Sequence, residues 1–112
     1  MQYTSRDLRR YNHLLQETDA VYHEMAQHWG LPDSVMGVLY TLCDAGGRCS
    51  VREVCRLGGM SKQTVNSALR VIQAENQVFA AWPQADVEQY LALTRRFQEA
   101  LGEKAKEIKE ES

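Results

Sequence analysis

The sequence predicts a mainly α fold that carries one small β-hairpin. Apolar residues recur three and four apart over most of the chain, cap and stop residues fall where those runs begin and end, and the period shortens towards two only between residues 77 and 93. With 112 residues, 44% apolar and 25% charged, the make-up is that of one soluble domain, 1–112, with a small core.

Residues 5–29 read as a long helix. Leu8, Tyr11, Leu15, Thr18, Tyr22, Met25 and Trp29 follow at steps of three and four, Ser5 or Thr4 supplies the cap, and Gly30 with Pro32 stops it. Leu14 and Val21 widen the stripe. A helix this apolar along its length needs more cover than one small domain supplies, which points to a partner chain. The second helix, 34–44, takes Asp33 or Ser34 as its cap, turns Val35, Val38, Leu39 and Leu42 inward and ends at Gly46-Gly47. Ser50-Val51-Arg52-Glu53 has the form of a capping box, in which hydroxyl and carboxylate satisfy each other's backbone donors. The helix it opens is short, because Gly58-Gly59 follows Leu57. Ser61 caps the next, 61–73, with Val65, Ala68, Leu69 and Ile72 as its inner face.

Residues 77–82 are rich in β-formers, Pro83 to Asp86 has turn chemistry, and Val87, Gln89, Leu91 and Leu93 alternate, which together predict a hairpin. Thr94 then caps a last helix, 95–111, with Phe97, Leu101, Ala105 and Ile108 on one stripe.

The formal charge of -2 argues against an anionic partner until its distribution is considered. Residues 1–47 are net -3. Residues 48–70 set Arg48, Arg52, Arg56, Lys62 and Arg70 against Glu53 alone, net +4. Residues 71–94 hold Glu75, Asp86 and Glu88 and no Lys or Arg, net -3, and residues 95–112 balance. One 23-residue stretch holds nearly all the positive excess.

That stretch is two short helices joined by a Gly-containing turn, the helix-turn-helix pattern, and the hairpin after it makes the pattern a winged one. The second helix has an apolar inner face and a polar, basic outer face. Gln63, Asn66 and Arg70 have the chemistry to read base edges in a major groove, and Ser61, Lys62, Thr64, Ser67, Arg52 and Arg56 suit phosphates.

The residues also resemble a known family. The run from Leu31 to Leu101 is similar to the MarR family of bacterial winged-helix regulators. The similarity is carried by Val38-Leu39 with Leu42, by Ser50-Val51-Arg52-Glu53-Val54, by Ser61-Lys62-Gln63-Thr64-Val65 as its most specific part, and by Leu93-Thr94 followed by Leu101. It covers roughly residues 8–105. The resemblance implies a homodimer that binds a palindromic operator in double-stranded DNA and is often released by a small, here aromatic, effector seated between the dimer helices and the DNA-binding lobe. On that expectation residues 33–93 form the lobe, and 5–29 and 95–111 are dimerisation helices. Leu8, Tyr11, Leu15, Tyr22, Phe97, Leu101 and Ile108 make the contact, and Tyr22, Met25 and Trp29 line the effector pocket. The family's wing carries an Asp and Arg pair, which residues 71–94 lack. The chain stops at Ser112, where relatives continue, so the interface is expected from the two helices named.

Other chemistries find less support. Three cysteines six apart, Cys43, Cys49 and Cys55, make neither a disulfide framework nor a paired ligand motif, and Cys49 is the least buried thiol expected. His13, His23 and His28 do not stack on one helix face, although Glu24 and His28 share one. No nucleophile with an adjacent base, phosphate loop or helical His-Glu metal motif is present, so neither an enzyme nor a bound cofactor or metal is expected. No apolar run reaches membrane length and no secretory signal is read at the start, which makes the cytoplasm the expected compartment. The alternative function is a winged-helix protein-interaction module with weak or no DNA binding, favoured by the acidic hairpin and by exposed Phe79 and Trp82.

Overall fold

The structure, a computed structural model, describes residues 3–44 and 50–112, with the backbone alone at 33, 34, 42 and 43. Five helices follow in order: α1 (Arg6–Trp29), α2 (Asp33–Asp44), α3 (Val51–Gly58), α4 (Lys62–Ala81) and α5 (Gln84–Glu111). The chain divides into two compact units, Met1–Gln73 and Ala74–Ser112.

In the first unit the helix boundaries are those of the capping chemistry. Ser5 Oγ accepts the Leu8 N–H at 3.1 Å, choosing Ser5 over Thr4 as cap. Gly30 closes α1 in the left-handed conformation, φ 63°, and the Leu31 N–H reaches back to the Ala26 carbonyl at 2.9 Å. Ser50 Oγ accepts from the Glu53 N–H, and Gly59, φ 64°, ends α3 with its own N–H on the Cys55 carbonyl. Ser61 Oγ caps α4 through the Thr64 N–H at 3.1 Å. The expected caps at Asp33 or Ser34, the inward Leu42 and the stop at Gly46-Gly47 lie outside the described residues or side chains.

The core of this unit is Leu31, Val35, Leu39, Val54, Val65, Ala68 and Val71, with Met25, Ala26, Trp29, Leu69 and Ile72 half-buried around it. Leu39 and Val65 are the large side chains sealed most completely. On α4 the most buried row is therefore Val65, Ala68 and Val71, with the expected Leu69 and Ile72 at its margin. Val38, expected inward, is 40% exposed, because α2 presents Val35 and Leu39 to the core and Val38 lies to one side.

The second half of the chain corrects the sequence reading. Among the described residues there is no strand, so the hairpin over residues 77–82 and 87–93, and with it the wing of the winged helix-turn-helix, is absent. The helix expected to end at Gln73 continues to Ala81, and α5 begins at Gln84. Residues 71–82 contain neither Gly nor Pro to interrupt a helix, and a lone two-stranded hairpin is marginal in water. Pro83 serves as the helix N-cap, its carbonyl accepting the Asp86 and Val87 N–H groups at 3.0 and 3.2 Å. Val87, Tyr90, Thr94, Phe97 and Leu101 keep a three-and-four period straight through the expected second strand. Thr94 is thus no cap. It lies inside α5, and its Oγ1 donates to the Tyr90 carbonyl at 2.7 Å.

Candidate functional site

The polar face expected on the fourth helix is present as one surface. Lys62, Gln63, Asn66 and Arg70 are exposed and Ser67 is half-buried. These five residues line a single concavity of about 560 Å³, whose remaining wall is Trp29 at the end of α1. The spacing 62, 63, 66, 67, 70 repeats at three and four, so one side of one helix carries them all. Lys62 also borders a second concavity of about 400 Å³ with Val51, Arg52 and Cys55 of α3. Lys62 is common to both, beside Arg52 in one and Arg70 in the other.

Not every residue of the expected site belongs to that surface. Thr64 is half-buried and its hydroxyl accepts from Ser61 Oγ at 2.9 Å, so Ser61 and Thr64 are occupied in starting α4. Arg56 is exposed on the last turn of α3 and lines neither concavity. Arg48 lies outside the described residues.

The expected effector pocket is divided. Met25 packs against the core, Tyr22 is exposed on α1, and Trp29 alone of the three lines the concavity with the polar residues of α4. Its indole also meets His28 edge to face with ring centres 5.2 Å apart. Among the described residues no three His, Cys, Asp or Glu side chains group to hold a metal. His13 instead pairs with Glu17 at 2.9 Å. Cys55 is a free, half-buried thiol, while Cys49 lies outside the described residues. No helix among those residues is long and apolar enough to cross a membrane.

The residues expected at a dimer contact share one property. Leu8, Tyr11, Leu15 and Tyr22 on α1 are 39–44% exposed, and Phe97, Leu101 and Ile108 on α5 are 46–63% exposed. Helix α1 buries no residue and α5 buries only Val87. Where α4 gives way to α5, Phe79, Trp82 and Tyr90 form an aromatic cluster with ring centres 5.7 to 6.2 Å apart. Sequence reasoning named Phe79 and Trp82 but missed Tyr90, which it had placed on a strand.

A family model described as the MarR family matches residues 29–79. Those residues are a MarR family domain. No curated protein and no solved structure matches the chain. The MarR family domain opens at Trp29 and includes α2, α3 and nearly all of α4, hence both concavities. Among the described residues no wing accompanies it.

Proposed function

We propose that this chain is a helix-turn-helix regulator without a wing that works mainly through protein contacts and binds DNA weakly. The observation that carries the reading is the pair of apolar stripes on α1 and α5, of which Leu8, Leu15, Leu101 and Ile108 stay 41–63% exposed. Stripes at helical spacing are ordinarily the inner faces of a packed bundle. The first partner on this reading is a second copy, held through Leu8, Tyr11, Leu15 and Tyr22 of α1 and Phe97, Leu101 and Ile108 of α5. Weak DNA binding follows from charge: the stretch where a wing would stand, residues 71–94, has no Lys or Arg to place against phosphates.

Gel filtration beside heparin or random-duplex chromatography at low salt tests this. A dimer that elutes near the void of the duplex column supports it. A monomer retained strongly on the duplex overturns it.

A second reading, sequence-specific recognition of a palindromic operator by the dimer, is favoured by the convergence of Lys62, Gln63, Asn66, Ser67 and Arg70 on one concavity. On that reading Gln63, Asn66 and Arg70 meet bases, while Lys62 and Arg52 meet phosphates. Selection from a random duplex pool decides it: an enriched palindrome establishes operator reading, and a pool without consensus removes it. The same concavity, with Trp29 as its aromatic wall, is where a small aromatic effector would compete with DNA.

A further inference from the structure

Two surfaces of the chain complement each other in charge and in chemistry. At the corner between α4 and α5, Phe79, Trp82 and Tyr90 pack against one another yet stay 39–50% exposed. Rings already fixed by their neighbours lose little freedom when a partner covers them, which makes them good anchors. Asp86 lies one helical turn before Tyr90, and Glu75 and Glu88 complete an acidic stretch free of Lys and Arg. Within the MarR family domain the opposite holds. Segment 48–70 is net +4, and its Lys62 and Arg70 flank the amides of Gln63 and Asn66 and the indole of Trp29 around an open concavity.

We infer that the acidic aromatic corner of one copy docks into the cationic concavity of a second copy. The inference rests on reading the chain as a protein-interaction module with a second copy as partner, and it adds a contact centred on Trp82 and Asp86, at the α4–α5 corner, to the one made by Leu8, Leu15, Leu101 and Ile108. Trp82 enters the concavity, where the Arg70 guanidinium meets an aromatic face, and Asp86 pairs with Lys62. Because the two surfaces differ, the contact is heterologous. A copy whose corner is engaged still offers its own concavity, so further copies add head to tail. The docked corner covers Lys62, Gln63, Asn66 and Arg70, so this association and DNA binding exclude each other. Self-association thereby regulates access to the domain's polar face.

Sedimentation velocity of the full chain over a range of concentrations tests the inference. At low salt the average mass should rise past that of a dimer with concentration, and about 0.5 M salt, which shortens the screening length to a few ångströms, should suppress the rise. Asp86→Lys damages the corner and Arg70→Glu the concavity. Each alone should stop the growth, and their equimolar mixture should associate again, since each supplies the surface the other lacks. Both positions are exposed, so circular dichroism matching the parent is expected. Trp82→Ala, which leaves charge unchanged, should weaken the association at least tenfold. Growth undiminished in both charge variants, or no recovery in their mixture, overturns the inference. Leu101→Asp separates the two readings: it should abolish the stripe-mediated dimer and leave the recovery between corner and concavity variants intact.

Discussion

The lobe built from α2, α3 and the first turns of α4 and the long helix α5 have the same kind of amphipathic sequence but different outcomes. In the lobe, Leu39, Val54, Val65, Ala68 and Val71 meet one another and are sealed. In α5, Phe97, Leu101 and Ile108 recur just as regularly and remain about half exposed or more. Periodicity specifies which face must be covered and says nothing of what covers it. The lobe finds its cover within its own unit. The apolar stripes of α5 and of α1 stay about half open, and on the proposed reading a second copy packs there.

The comparison is tested most severely at the centre of the lobe. Leu39→Ala removes a fully sealed side chain of the core, and should cost about 2–5 kcal/mol, enough to unfold much of a small domain. Urea denaturation measures it. A loss below about 1 kcal/mol would mean that the lobe is not the self-sufficient part.

On the other side, Leu101→Asp should leave the lobe's unfolding midpoint nearly unchanged and weaken dimerisation by at least about 2 kcal/mol, roughly 30-fold, as for a central interface residue. Sedimentation equilibrium reads the second quantity. Equal effects on both would erase the distinction between the two regions.

What the sequence made legible divides along a similar line. Helix starts and stops are local chemistry, so Ser5, Gly30, Ser50, Gly59 and Ser61 could be placed from the residues around them: the three serines open their helices and the two glycines close theirs. The five residues Lys62, Gln63, Asn66, Ser67 and Arg70 were legible as a group because a single helix face carries them. Trp29 was named through the resemblance, with Tyr22 and Met25, but that it alone of the three borders these five residues depends on how the end of α1 meets α4, a tertiary fact without a sequence period. The stretch from 77 to 93 was misread for another reason. Val87, Gln89, Leu91 and Leu93 satisfy a period of two, while Val87, Tyr90, Thr94 and Phe97 satisfy one of three and four over the same residues. Short windows favoured the strand, and the longer run into Leu101 decides for the helix. Pro83 served both readings, since it suits a turn and a helix start alike.

The caps allow a finer comparison within the lobe. Ser50→Ala removes the acceptor of the Glu53 N–H at the start of α3 and should cost about 1 kcal/mol. Gly59→Ala, at the other end of the same short helix, must place a Cβ at φ 64° and should cost about 1 kcal/mol through backbone strain, with no clash to relieve. Thermal melting measures both. A stabilising Gly59→Ala would show that the helix does not end in the left-handed turn.

The smallest effect concerns Thr94, and there the sign carries the information. Were Thr94 the N-cap of the last helix, its replacement by Ala would lose a side-chain acceptor for the backbone and cost about 1 kcal/mol. Inside α5 its hydroxyl spends itself on the Tyr90 carbonyl, which already has a backbone donor within the helix, and its branched side chain is a poorer helix former than Ala. Thr94→Ala should therefore be neutral or stabilising by up to about 0.5 kcal/mol. Denaturant melts followed by far-ultraviolet circular dichroism read the sign directly. A clear loss would return a helix boundary to residue 94.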